Sequence, residues 1–550
     1  MVRGRAHHRH ARSAPAPALD RAGVPPLPRL PRQRARRSGP DRAPQRSPLV
    51  RRGLLRGRRR GGVGLSLPGL PRRRLAPPGA ASPAYLAAFD DLPREHGFEP
   101  LEVEGALPDA LSGTFYATGP ALSGLFGERY PHWFDGDGAV SAVRFAGGRA
   151  EGAVRLVQSA GLRDERRHGG LRYAGFARAF DWPLHLRPVF SRAKNTANTA
   201  MLAHAGRLFA LWEGGRPTEI DPDTLETLGT RDLGGAVRLA YAAHPHAVPS
   251  LDTVFGFGVR VATGRGPKPL LDLFATDAAG RTRRLGVVPL PFLPMVHDFI
   301  ATERHLVFFV SPLRVRLGRL LFGFGGYAEN LVWEPARGTE ILVVPLDDPE
   351  RVVRWRTEAF YQWHFVNAWE RGADIVVDLV RYDDFRVGEW LQRLWQGRPL
   401  PEAPGRLTRA ILTPASTRCQ LEERAALPVE LPRIAPAART RPHRVVWSTA
   451  HADVGAMRRG PQDRVARLDA ETGAATHRSL GGGVYPGEAL FVPRPGASRE
   501  DDGWLLLFAT DVRERRGSCF VLDARSLETV ARCRFRDHLP PRLHGAFRPR

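Results

Sequence analysis

The chain has 550 residues, 82 of them Lys or Arg against 57 Asp or Glu, for a formal charge of +25, and it is 42% hydrophobic with 57 Gly and 49 Pro. So many turn-forming residues argue against a helical bundle and for numerous short strands, and the lack of any 18-residue apolar run excludes a membrane-spanning helix. The charge suggests nucleic acid, but residues 1–80 carry 21 Arg against Asp20 and Asp41 alone, leaving the other 470 residues at about +6, so no nucleic acid is expected on a folded domain.

Residues 1–81 read as a disordered Arg/Pro-rich extension outside the fold. Two readings stand: a tail for nucleic acid or an anionic membrane, or an unselected extension from a start codon assigned too early. Only Lys194 and Lys268 are lysines, the mark of a GC-rich coding sequence in which such extensions arise. The stretch 61–70 is too short and too Gly/Pro-rich, and too closely followed by Arg72, Arg73 and Arg74, to be an export signal. Cys419, Cys519 and Cys533 are odd in number and lack metal-type spacing, so they are expected to be packing residues in a reducing, cytoplasmic compartment.

From residue 82 to 550 apolar and polar residues alternate between tight turns, as in Ala-Val-Ser-Ala-Val-Arg-Phe at 139–145, which predicts hairpins with one buried face. A strand ending in Asp and followed by a turn recurs at Asp221, Asp277, Asp347, Asp469 and Asp523, at intervals of 56, 70, 122 and 54 residues. A unit near 60 residues with one degenerate copy predicts an all-β fold, a β-propeller of seven or eight blades. A large sandwich with coincidental turns is the alternative.

Four histidines stand in similar part-apolar contexts: His244, His297, His364 and His544, separated by 53, 67 and 180 residues, near one, one and three blade lengths. Equivalent positions on successive blades surround the propeller axis, so four imidazoles could converge there. Any one of them alone would read as a buried core histidine. Together, neutral nitrogen donors without a thiolate suit divalent iron, copper, nickel or zinc, and a six-coordinate ion would keep open cis positions. Glu213, Glu430 and Glu488, acidic residues in apolar surroundings, are candidates to accept the second ring N–H of such ligands. Glu370 reads as a surface turn glutamate, and His246 as a loop residue.

The text also resembles a known family. Trp-Phe-Asp-Gly-Asp-Gly (133–138), Lys-Asn-Thr-Ala-Asn-Thr (194–199), Leu-Trp-Glu-Gly-Gly (211–215), Ala-His-Pro, His-Asp-Phe, His-Phe-Val-Asn-Ala, Glu-Leu-Pro-Arg-Ile, Gly-Glu-Ala-Leu-Phe-Val-Pro and His-Gly-Ala-Phe stand in the order of the carotenoid cleavage oxygenases, from about residue 98 to 547. That family includes apocarotenoid and lignostilbene dioxygenases and a retinoid isomerohydrolase. The resemblance implies a seven-bladed propeller with a loop-and-helix dome over an axial Fe(II) held by His244, His297, His364 and His544. It also implies that Glu213, Glu430 and Glu488 orient His297, His364 and His544, that His244 has no carboxylate, and that Thr199 lies beside an open iron position. Two departures, Ala117-Thr118-Gly119-Pro120 for Arg-Asn-Gly-Pro and Glu488-Ala489 for Glu-Pro, put neighbouring loop geometry in doubt.

The implied reaction is cleavage by O2 of a conjugated double bond in an apolar polyene, with a stilbene as the alternative substrate and a non-catalytic binding propeller as a third reading. Phe299 and Phe365, beside ligands, could wall a substrate tunnel or simply fill the core. Residues 313–327 alternate Arg314, Arg316 and Arg319 with Leu and Phe, as either a peripheral contact at the inner face of the membrane or a helix of the dome.

Overall fold

A computed structural model describes residues 82–179, 193–262, 266–322 and 324–550, all within the compact unit Arg73–Arg550. The Arg/Pro-rich extension at 1–81 lies outside the described residues. Seven antiparallel sheets of four or more strands succeed one another along the chain and form the seven blades of a propeller. Their innermost strands are Ala200–His204, His246–Val248, Ile300–Ala301, Tyr361–Arg371, Val429–Arg433, Val484–Pro486 and Gly545–Pro549, numbered here as blades one to seven. Inner strands of neighbouring blades approach one another around the axis.

The aspartate repeat marks one position in this unit. Asp221, Asp277, Asp469 and Asp523 each close the turn between the third and fourth strands, where one carboxylate oxygen accepts two backbone N–H groups, at 2.9 and 2.8 Å for Asp221. This is the side chain standing in for a backbone turn. The degenerate copy falls in blade four, where the turn between Arg406–Thr413 and Arg418–Ala425 is instead a short 3-10 segment, Pro414–Ser416, followed by Thr417 at φ 52°.

Blade seven joins distant parts of the chain. Gly545–Pro549 pairs with Gly113–Pro120 from Ala117↔Gly545 to Gly113↔Pro549, and the outer edge of blade six is completed by Glu102–Gly105 against Thr529–Arg534. Between blades, aromatic rings fill the wedges. Phe299 packs on Phe308 and Phe257 between blades two and three, Phe365 on Phe309 between three and four, Phe115 on Phe508 between six and seven, and Trp447 on Phe491 between five and six. Phe299 is 0% exposed and Phe365 4%, so of the two roles open to them in the sequence they take the core one. Cys519 and Cys533 are buried opposite one another in blade six as packing residues.

Few helices interrupt the strands. Arg386–Gln396 buries Val387, Trp390, Leu394 and Trp395 on one face and ends at Gly397 in the left-handed region. Its indoles are anchored by Trp390 Nε1 donating to Met457 O at 3.1 Å and Trp395 Nε1 to Tyr130 O at 2.9 Å, which fixes the helix as a roof across the inner strands. Replacing Phe299 with Ala is expected to destabilise the protein by about 3–5 kcal/mol through the cavity left between two blades, measured by denaturant unfolding with the slope unchanged.

Candidate metal centre

Each blade delivers one polar residue in or beside its inner strand: in blade order, Thr199, His244 and His297 just before theirs, His364 and Glu430 within theirs, Glu488 just after and His544 just before. Glu213 comes instead from the turn after the second strand of blade one. The ligand atoms of His244, His297, His364 and His544 lie within 4.8 Å of one another. Ring centroids are 4.4–5.0 Å apart for His244 against each of the other three. Backbone contacts hold the last of them in place: Thr118 N donates to His544 O, Leu543 N to Thr118 O and His544 N to Thr199 O.

Three imidazoles donate Nδ1–H to a carboxylate: His297 to Glu213 at 3.0 Å, His364 to Glu430 at 2.5 Å and His544 to Glu488 at 2.8 Å. That fixes the tautomer and leaves each Nε2 lone pair free. His244 has no carboxylate partner among the described residues. Its Nε2 lies 3.0 Å from His297 Nε2, and the buried Nε2 of His364 has no hydrogen-bond partner. Converging acceptors and an orphaned buried nitrogen fit a cation, and four neutral nitrogens suit a divalent transition metal.

The electrostatics agree. Burial, reinforced by the other imidazoles, pushes His244 well below the usual histidine range, and burial takes His544 down to about 4 despite Glu488, so both are neutral donors. Burial alone would raise the three glutamates, but the paired imidazoles, and Arg433 at Glu488, outweigh it; Glu213 and Glu430 fall below the usual range and Glu488 to about 2. At His364 burial opposes the proton, yet Glu430 outweighs it and raises the group, so proton and cation compete for the same nitrogen.

Several supporting groups were not legible in the sequence. Tyr382 OH donates to Glu430 at 2.8 Å, and Arg433 Nη2 to Glu488 at 2.8 Å. Asp298, beside His297, accepts Phe299 N at 2.8 Å and Phe365 N, beside His364, at 2.9 Å, locking two ligand strands together. His246 corrects its reading as an uninvolved loop residue: it opens the inner strand of blade two and its Nε2 sits 2.9 Å from Asp298 Oδ1. The His-Asp and His-Pro-His adjacencies were the available signal. Glu370 likewise is no surface turn residue. Its side chain is 12% exposed and accepts from Thr302 Oγ1, Arg304 N and His305 Nδ1 across blades three and four.

An apolar cavity opens onto the imidazoles, lined by Trp133, Phe134, Phe176, Trp212, Trp363, Tyr382, Trp390 and Leu394 together with Thr199, Glu213, His297, His364 and His544. Trp363 meets His297 edge-on at 4.9 Å. The Asp-Gly-Asp-Gly and Lys-Asn-Thr segments build this wall. Lys194 Nζ donates to Asp137 and Glu165 at 2.7 Å each, and Asn198 Nδ2 to Gly136 O at 2.7 Å. Thr199 donates its hydroxyl to Asn198 Oδ1 at 3.2 Å. Replacing Glu430 with Gln, which accepts less strongly at Nδ1, is expected to weaken divalent-metal affinity by about 10–100-fold, measured by competition with a chromophoric chelator.

A family described as RPE65, retinal pigment epithelial membrane protein, matches residues 89–549. The apocarotenoid-15,15'-oxygenase of Synechocystis is 30% identical over 478 residues, 84% of this chain and 96% of that protein. A carotenoid 9,10(9',10')-cleavage dioxygenase of Crocus sativus is 27% identical, covering 81% and 85%, and an isoeugenol monooxygenase of Pseudomonas nitroreducens 28%, covering 82% and 94%. The solved structure of cobalt-substituted Synechocystis ACO superposes with a TM-score of 0.76 at 29% identity, over 85% of this chain and 98% of that one. The chain is an oxygenase belonging to the RPE65/carotenoid cleavage oxygenase family.

Proposed function

We propose that the protein is a non-haem Fe(II)-dependent dioxygenase that cleaves a conjugated C=C bond of a carotenoid or apocarotenoid with O2, giving two carbonyl products. The observation that carries this reading is the set of four converging imidazoles, three of them backed by carboxylates, two of those buried, at the end of an aromatic cavity. A binding platform would have no use for glutamates buried at Glu430 and Glu488, since a buried carboxylate without a partner is costly.

When bound, a ferrous ion would supply dioxygen activation at the positions its protein ligands leave open. The chain's own residues do the rest. His244, His297, His364 and His544 present Nε2, and Glu213, Glu430 and Glu488 hold the three Nδ1 protons, which fixes those three rings in tautomer and orientation. Thr199 borders the open side, where its small side chain leaves room for a diatomic molecule next to the substrate. Trp133, Phe134, Phe176 and Trp363 enclose the conjugated chain and exclude water.

The cavity favours a polyene over a stilbene phenol. Several of its polar groups are already committed: Asn198 to Phe134 O and Gly136 O, Tyr382 to Glu430, His451 to Gly460 O, and two of the Arg542 nitrogens to Ser141 and Gly119 O, while Arg542 Nη2 and Trp363 Nε1 remain without a partner. A polyene must come from a membrane, and Phe322 and Phe324, 63% and 52% exposed beside Arg316 and Arg319, form an apolar, cation-fringed patch for peripheral contact with the inner leaflet from the cytoplasm. No described helix is long and apolar enough to cross a membrane.

Iron-loaded protein given apocarotenals under 18O2 is expected to yield aldehydes carrying label, read by mass spectrometry, with no product from the His297→Ala variant. Cleavage of hydroxystilbenes alone would replace the polyene reading, and full activity in His297→Ala would end both. The double change Phe322→Ser with Phe324→Ser is expected to lower binding to anionic lipid vesicles without altering metal content, checked by co-sedimentation.

A further inference from the structure

On the other side of the four imidazoles, a second cavity runs down the propeller axis between the inner strands, with His244, His246 and His544 at one end and Arg494 and Trp504 at the other. Its polar lining is one-sided. Arg433, Arg439 and Arg494 and four histidines face it, and no Asp or Glu is among the described residues that line it.

The three arginines differ in how their charge is met. Arg494 is neutralised by Asp502 and Asp523 at 2.8 Å each, and Arg433 is tied to Glu488. Arg439 has neither an ion pair nor a side-chain hydrogen bond with any described residue. Its backbone is nonetheless held in place: Asn367 Nδ2 donates to Ala438 O at 3.0 Å and Arg441 O at 2.8 Å, and Asn367 Oδ1 accepts Thr440 N at 3.0 Å. The inner strand of blade four thus clamps the loop that carries this guanidinium at the channel wall. Burial and the like charge of Arg433 push Arg439 down to about 10, the direction expected of a cation without a counter-charge.

The geometry points to an anion site: the axial channel binds a small oxyanion on the guanidinium of Arg439, with Arg433 as the second cation and the apolar cavity left for the substrate. A guanidinium with its donors free matches carboxylate and tetrahedral oxyanions alike through paired N–H···O bonds. The site lies outside the metal-binding set, so it stands or falls separately from the cleavage reaction.

The test uses the iron-loaded full chain in a zwitterionic buffer of low ionic strength, titrated calorimetrically with sulfate and, separately, with acetate, each against chloride at matched ionic strength. Saturable binding of sulfate or acetate is expected, weakened by about 10–100-fold in Arg439→Gln and unchanged in Arg441→Gln; the tighter of the two ligands identifies the source as a tetrahedral dianion or a carboxylate. Arg439→Gln keeps the four imidazoles, so any anion bound by the iron remains in that variant and cancels. Without added oxyanion, Arg439→Gln is expected to melt no lower than the natural protein, because it removes an unpaired charge. No saturable binding to the natural protein, or binding equal in Arg439→Gln or equal to chloride, overturns the proposal; the first of these needs no variant to fold.

Discussion

Everything at the centre of this molecule depends on the hydrogen-bonded pairing of Gly545–Pro549 with Gly113–Pro120. A ring of seven sheets has no covalent closure, so two segments more than 400 residues apart must meet to complete it. The entropy of closing so long a loop grows only slowly with length, while the pairing removes two open strand edges. Closure also carries a second burden. The strand begins immediately after His544, and the same backbone bonds that seat it, from Leu543 to Thr118 and from His544 to Thr199, position the fourth imidazole against the other three.

The charge arrangement follows from that geometry. Four imidazoles whose ligand atoms lie within 4.8 Å of one another would repel if protonated, and the buried carboxylates of Glu430 and Glu488 would be unstable alone. Pairing them through Nδ1 resolves both, and two of the pairs, Glu430 with His364 and Glu488 with His544, join adjacent blades. Tyr382, Arg433 and Leu431 N then occupy remaining carboxylate lone pairs. The substrate side remains apolar because aromatic residues from the roof helix and from the 130–136 and 171–178 segments cover it, whereas the axial side is bounded by inner-strand and loop residues with a basic bias.

How far this could be read from sequence depends on which contacts have a period. The aspartate turns recur because the blades share the same turn, and the four histidines recur because each stands in or just before an inner strand; spacing alone therefore carried the propeller and the convergent set. The partners of Glu213, Glu430 and Glu488 came from resemblance rather than spacing, since nothing local states which imidazole a glutamate will face. His246 and Glu370 were misread for the same reason. Their partners, Asp298 on one side and Thr302 with His305 on the other, lie 52 to 68 residues away on a neighbouring blade. Phe365 follows His364 directly in a strand, where successive side chains face opposite ways, so it turns into the wedge between blades; Phe299, two residues past His297 and ahead of its strand, reaches the same kind of wedge by a path that alternation does not give.

The order of the inner strands has a consequence for biogenesis. His244, His297 and His364 lie on consecutive blades and can come together while much of the chain is still to be made, but His544 follows His364 by 180 residues and is seated only by the closing strand. A nascent chain folding from its N-terminal side thus displays at most three imidazoles, only two of them with a carboxylate in place behind Nδ1 once Glu430 is made. A cation bridging all four imidazoles would therefore have to be taken up after the ring has closed, since a chain that stops before blade seven offers only part of the ligand set.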